Sequence, residues 1–418
     1  MNERIHNSQA DIAQADVAVV GAGPAGLATA LALAHVGANV GANVALIGPA
    51  PASPHASDTR TAALLASSVD LLKRLDVWET LARHAAPLKA IRIIDTSDGV
   101  LRGPEIEFAA SELGLEAFGY NIPNSALVDA LYARAAQVLG AVHAHTVAKM
   151  DVAADCAVLY CLEGPAVSVR LAVGADGRHS IVRQAAGIAT SEWRYDQAAI
   201  ATSFEHKRPH GNVSNELYSP AGSVTTVPLP DPHASSLIWV GGLTEIEALM
   251  GLAASDFAAA LEERLKGLLG EIGSVGARAR FPVAGLTAKA ITAPRIALAG
   301  EAAHILPPIG AQGLNLGLRD GAALADCVAA ALRRGADPGG APVLKAYADA
   351  RRLDILTRTV GVDLLTRSLL TSLLPVQAAR GLVLHGLNAI GPLRRFAMRA
   401  GMTPPNALPS LMRPAASG

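Results

Sequence analysis

Apolar and polar positions along the chain mark out alternating strands and helices. Residues 17–20 are a short apolar run, as expected of a strand buried on both faces. A glycine-rich turn over 21–26 follows, then an Ala/Leu-rich helix to Val36. A second strand is predicted over 45–47, ending at Gly48-Pro49. Leu71, Leu72 and Leu75 space a helix that reaches Trp78. Positions 88–122 alternate like strands, with turns at 97–99 and 103–104. Leu127, Val128, Leu131, Ala135 and Val138 recur at helical spacing within 125–139, and short strands follow over 140–172. From 194 to 281 the pattern is mostly strand, interrupted by a helix over 256–269. An apolar strand over 295–300 leads to a helix running through Asp320 to Ala331. The region 340–402 is helical and basic. There Val376, Ala379, Val383, Leu387 and Ile390 lie at i+3/i+4 spacing ahead of Arg394, Arg395 and Arg399, a pattern that suits either packing on the body or contact with a membrane.

Three of these strands end in a distinctive way. The first runs into Gly21-Ala22-Gly23-Pro24-Ala25-Gly26, a GxGxxG turn between strand and helix. In that context Gly21 serves the tight turn, Gly23 lets a pyrophosphate approach the backbone, and Gly26 lets helix and strand pack closely. The first-turn N–H groups and the helix dipole then face the phosphates. A second strand ends in Gly174-Ala175-Asp176-Gly177, where the acid suits cofactor hydroxyls or, alternatively, caps a turn. The third ends in Gly300-Glu301-Ala302-Ala303-His304 and continues through Pro307-Pro308-Ile309-Gly310-Ala311-Gln312-Gly313-Leu314-Asn315 into a helix. That proline/glycine loop makes another nest of N–H groups. One extended cofactor lying across several strand ends accounts for all three together.

The second strand departs from the usual dinucleotide pattern. The position about twenty residues past the glycines usually holds an acid for the ribose, and here it is Gly48. Just before it, Gly-Ala-Asn-Val occurs twice in tandem over 37–44, which reads as a tolerated loop insertion.

Together these segments resemble the FAD-dependent aromatic hydroxylases, the single-component flavoprotein monooxygenases. DTRTAALL from Asp58, the strand VPLPDPHASSLIWVG and the closing LRRFAMRAGM are similar to the ubiquinone-biosynthesis branch of that group. The resemblance implies an α/β protein over about residues 15–402. A Rossmann-like FAD-binding domain would comprise 15–87, 123–187 and 282–340. An inserted mixed β-sheet substrate domain would comprise 88–122 and 188–281, with a helical C-terminal region over 341–418. It implies FAD as cofactor and NAD(P)H as co-substrate. Oxygen would reach an aromatic, polyprenylated substrate through a flavin hydroperoxide. By the same resemblance Gly21, Gly23, Pro24, Ala25 and Gly26 meet the pyrophosphate, and Arg60 reaches the flavin region. Asp176 and Gly177 fall on the family's Asp-Gly segment. Glu301 stands where the family has Asp, and Pro308, Gln312, Gly313, Leu314 and Asn315 line the flavin loop. Gly310-Ala311 inverts the family's Ala-Gly order. His304 is the catalytic candidate, as a proton carrier, with a packing histidine as the alternative. Two other functions remain open at this level: hydroxylation of a soluble aromatic acid, and a non-catalytic scaffold in a quinone-synthesis complex.

Composition narrows the partners. Lys plus Arg is 35 and Asp plus Glu 36, so nothing in the charge balance suits nucleic acid. The 418 residues suffice for two or three domains. The three cysteines form no CxxC pair, which points to a reducing cytoplasm and core positions, and no metal-ligand cluster is spaced along the chain. Residues 1–14 read as a disordered lead-in without an apolar signal core. No run reaches the ~20 apolar residues of a membrane span, which leaves a cytoplasmic protein, with peripheral contact at the inner membrane face still open.

Overall fold

Strand Ile12–Val20 sets the geometry of the cofactor half of the molecule. The computed structural model describes residues 12–38, 41–51, 58–96, 104–219, 221–370, 374–404 and 407–414. The first strand lies between two parallel neighbours, Val44–Ile47 and Ala166–Gly174. Parallel pairing continues outward to Ala141–His143 on one side and Ile296–Leu298 on the other. The last residues of three adjacent strands, Val20, Gly174 and Leu298, therefore sit side by side. Val17–Val20, Val44–Ile47, Leu171–Gly174 and Ile296–Leu298 are apolar because both faces are covered there. Helices Pro24–Gly37, Asn124–Val138 and Gln312–Leu332 bury Val17, Val19, Leu46 and Val173 on one face. A hairpin of Val147–Val152 and Ala157–Cys161 helps bury Ala18, Val20, Ala45 and Ile47 on the other. Each such Val, Leu or Ile side chain contributes on the order of 1.5–3 kcal/mol.

Helices 24–37 and 312–332 approach closely because the second offers glycine where they meet. A Cβ on Gly321 would lie 2.3 Å from Thr29 Oγ1, and one on Gly317 would lie 3.4 Å from the Cβ of Ala25.

A second, nine-stranded sheet is built on the long strand Thr190–His206, flanked by Ala279–Ala288 and Ala234–Gly242. Helices Leu243–Gly251 and Ala254–Arg264 cover one face, burying Phe204, Leu217, Trp239 and Phe257. The opposite face looks toward the first domain and the C-terminal helices.

Several boundaries differ from the sequence expectation. Residues 12–14, assigned to the lead-in, pair with Ala166, Val167 and Ser168, while 1–11 lie outside the described residues. Gly119–Pro123 does not join the large sheet; it pairs with Thr61–Leu65 and Ala86–Pro87 in a three-stranded sheet. The strand expected to stop at 281 continues to Ala288 because its far end pairs with Thr190–Arg194. Helix 243–251 was not expected: it follows a strand directly and begins on the half-exposed Leu243, which blurs its period. The helix expected to reach Trp78 breaks after Arg74, where Asp76 takes a left-handed φ of 57°, and resumes as Trp78–Leu81. The turn at 97–99 and part of the tandem repeat, 39–40, lie outside the described residues.

The C-terminal region forms three helices, Ala341–Leu370, Leu374–Ala389 and Gly391–Met402. Leu384 and Leu387 pack on Ile106 and Tyr218. Val383 and Ile390, at the same i+3/i+4 spacing, are 61% and 51% exposed.

Candidate cofactor cleft and active site

A cleft of about 580 Å³ opens over the three strand ends and is lined by all three glycine segments. Gly21, Gly23, Pro24 and Ala25 form one wall, and Asp176 and Gly177 stand beside them. Glu301, His304, Gly313 and Leu314 close the far end, with Arg60 across from them.

The backbone explains why glycine recurs. Gly21 has φ 116°, and a Cβ there would lie 2.3 Å from the Ala175 carbonyl oxygen. A Cβ on Gly26 would lie 2.0 Å from the Gly21 carbonyl oxygen, so Gly26 shapes the turn from behind and does not line the cleft. Gly23 is different: a Cβ there meets nothing within 4 Å and would point into free space beside the helix N-terminus. That is a cradle for a phosphate. Gly48, the departure at the second strand, is also explained: a Cβ would lie 2.7 Å from the Ala22 backbone nitrogen. This strand end presses against the glycine turn and lines the cleft without a carboxylate.

Asp176 fills the capping role with one oxygen and leaves the other unpaired. Its Oδ2 accepts from the N–H groups of Ile181 (2.7 Å) and Val182 (3.3 Å), capping helix Ile181–Ala185. Its Oδ1 is buried without a hydrogen-bond partner. A carboxylate oxygen held rigidly at the cleft and left unpaired fits a hydroxyl donor of the cofactor. Arg60 is gripped by Asp58 in a two-pronged contact at 2.7 and 2.8 Å, and Asn124 donates to the same carboxylate at 2.8 Å. The Arg60 hydrogen bond outweighs burial and holds the Asp58 carboxyl down at about 2.

Beneath the far end lies a buried charge network absent from the sequence expectation. His304 is 2% exposed, and its Nε2 lies 2.6 Å from Asp320 Oδ2, which also accepts the Gly300 N–H at 3.0 Å. Arg351 donates to Asp320 Oδ1 at 2.7 Å and to Asp354 at 2.9 Å, and Arg319 is ion-paired with Asp354 at 3.0 Å. Burial pushes the Asp320 carboxyl up, but His304 and Arg351 outweigh it and hold it below the usual carboxylate range. His304 Nε2 is held by this carboxylate, and its Nδ1 is buried without a hydrogen-bond partner. His304 lines the cleft.

Three residues assigned to the flavin loop face elsewhere. Asn315 spends its amide on the protein: Oδ1 accepts from Leu65 N and Ser68 Oγ, and Nδ2 donates to the carbonyls of Ala63 and Ala311. It braces the loop and does not line the cleft. Gln312 donates to the Gly310 carbonyl at 2.8 Å and to Gly401 O at 3.4 Å. Pro308 lines a separate, smaller void against the large sheet. The inverted Gly310-Ala311 pair leaves Ala311 with a left-handed φ of 54° at the N-cap of helix 312–332, a conformation that costs an L-residue about 1–2 kcal/mol. Conversely, His145, Thr146 and His179 line the cleft without having been singled out. His145 and Thr146 lie beside strand 141–143, whose pairing with 44–47 carries the chain to the cleft; nothing in their local pattern signals this. Cys327 is the core cysteine expected, its thiol pushed up to about 11 by burial.

A parallel sheet whose adjacent ends make a glycine-lined groove, joined to a large sheet over its far end, defines an FAD-dependent monooxygenase. The FAD binding domain family matches this chain over residues 14–360, and the chain belongs to that family. The ubiquinone hydroxylase UbiL of Rhodospirillum rubrum is 35% identical over 394 residues, covering 93% of this chain and 89% of its own. The 3-demethoxyubiquinol 3-hydroxylase of Escherichia coli is 31% identical, covering 92% and 97%. Among solved structures, p-nitrophenol 4-monooxygenase PnpA of Pseudomonas putida shares the fold with a TM-score of 0.75 at 18% identity, covering 95% of this chain and all of that one.

Proposed function

We propose that this chain hydroxylates the aromatic ring of a polyprenylated ubiquinone precursor. The observation that carries the substrate class is the full-length likeness to two hydroxylases named for ubiquinone and demethoxyubiquinol. The cleft supports the cofactor: Gly23 leaves room for a pyrophosphate, and Asp176 Oδ1 offers an unpaired acceptor to a hydroxyl. The chemistry a bound FAD supplies is reduction by NAD(P)H and activation of O2. The protein's own part is to hold, orient and keep dry. Gly21–Ala25 and Asp176 hold the nucleotide end. Arg60 and Glu301 face each other across the cleft and bear on the flavin end. His304, fixed by Asp320, is held at the cleft with Nδ1 unpaired. The sheet face over the far end excludes water, which would otherwise divert activated oxygen.

The test is product analysis. Purified protein with FAD, NADPH or NADH and a short-chain prenylphenol should oxidise the nicotinamide faster than without the phenol. It should also yield a product heavier by one oxygen atom drawn from labelled O2. Stimulation by soluble aromatic acids alone would contradict the substrate class.

A lipid-dissolved substrate calls for membrane contact, and the C-terminal helices fit it. Leu364, Leu382, Val383 and Phe396 are each more than 60% exposed. From residue 374 onward the chain carries Arg380, Arg394, Arg395, Arg399 and Arg413 and no Asp or Glu. No helix among the described residues is long and apolar enough to cross a membrane. The protein should sediment with anionic liposomes, and the pair Leu382→Glu, Phe396→Glu should stay in the supernatant. Equal recovery of both in the supernatant would reject the contact.

A further inference from the structure

The void under the flavin loop has one unexplained feature. It is walled by Val240 and Val283 of the large sheet, Thr366 of helix 341–370, and Pro308 and Ile309 of the loop. Beside these residues and Ser223 stands Gln197, 8% exposed, whose Oε1 has no hydrogen-bond partner. A buried amide oxygen left unpaired is costly and calls for a ligand. Thr366 does not answer it, because its hydroxyl is spent on the Val362 carbonyl of its own helix at 2.7 Å.

The strand is built to aim this side chain. Strand 190–206 keeps regular pairing with 279–288 up to Arg194↔Ala284 and resumes at Ala198↔Pro282, so three residues oppose one. Irregularities of this kind bend a strand and re-aim side chains, often beside active sites. Gln197 shares its sheet face with Ala199, which packs with Val240 and Val283 on the side away from helices 243–251 and 254–264. The void itself measures about 10 Å³, room for about one water. An aromatic ring therefore requires the loop to withdraw. Ala311, with a left-handed φ of 54° that an L-residue rarely adopts, is the strained point of that loop.

We propose that Gln197 is the specificity-determining residue for the ring substrate, its Oε1 accepting the hydrogen of a phenolic hydroxyl. This rests on the reading of the protein as an aromatic hydroxylase, and it adds the substrate group that is recognised. A site that pairs a buried acceptor with a substrate hydroxyl discriminates strongly against the analogue lacking that hydrogen.

Binding to the FAD-loaded protein tests this without turnover. Dissociation constants for 2-prenylphenol and its O-methyl ether are read from the perturbation of flavin absorbance. The wild type should favour the phenol by about tenfold or more, which is ~1.4 kcal/mol. Gln197→Leu should abolish that preference by weakening the phenol alone, and Gln197→Glu, which keeps an acceptor, should retain it. FAD affinity should be unchanged in both variants. Equal binding of phenol and ether by the wild type, or an equal loss of both in Gln197→Leu, would overturn the assignment. Discrimination that holds while no hydroxylated product forms would leave this inference standing and reject the proposed function instead.

Discussion

Asp320→Ala is expected to destabilise the protein by roughly 3–5 kcal/mol, the usual cost of removing one partner from a buried ion pair. The carboxylate is fully buried and accepts from three donors: His304 Nε2, the Gly300 N–H and Arg351 Nε. Alanine leaves an arginine 3% exposed at its side chain without its nearest counter-charge and unfixes the imidazole at the cleft. The sign of the pH dependence follows from the lowered carboxyl. A depressed folded-state value contributes stability above the unfolded value and loses it as pH falls through the folded one. The gap between wild type and variant in urea midpoint should therefore narrow toward acid. A gap below about 1 kcal/mol at neutral pH, or one that widens on acidification, would show that the network does not bear on the fold.

The glycine turn separates folding from cofactor binding. Gly23→Leu places its side chain in open space, at a φ of −77° that any residue adopts, so the apoprotein should keep its thermal midpoint. The side chain should occupy the phosphate cradle and weaken FAD binding by roughly a hundredfold, ~2.7 kcal/mol. Gly26→Ala should do both kinds of harm, since its Cβ would fall 2.0 Å from the Gly21 carbonyl oxygen and force the turn apart. Fluorescence titration with FAD and thermal melts of the apoproteins distinguish the two. Matching losses of stability in both variants would mean that Gly23 is merely packed.

What was legible in the sequence was local. Gly21, Gly23 and Gly26 carry their roles in a six-residue window, because a strand, a turn and a helix follow one another there. Asp176 could be placed at a strand end, and its two oxygens then divide between the cap and the cleft. Side-chain direction after an irregular loop was not legible. Asn315 lies one residue past Leu314, which does line the cleft, yet its amide turns inward to Leu65 and Ala63, some 250 residues earlier. Nor was the partner of Asp320, because Arg351 is 31 residues away on the next helix and only packing brings them together. Gly48 looked like a lost ribose contact; the close approach of Ala22 that accounts for it joins two strand ends that share no local pattern. The C-terminal stripe left packing and membrane contact both open because spacing gives a periodic face and does not say which side is covered.

The central claim is that three strand ends of one sheet grip a single FAD along one groove. Titration of the purified wild type with FAD, followed by flavin fluorescence with folding checked by circular dichroism, tests it most directly. The expected result is saturation at one FAD per chain, with the affinity sharply reduced in Gly23→Leu. A folded wild-type protein that takes up no FAD, or one whose uptake is indifferent to Gly23→Leu, would contradict it.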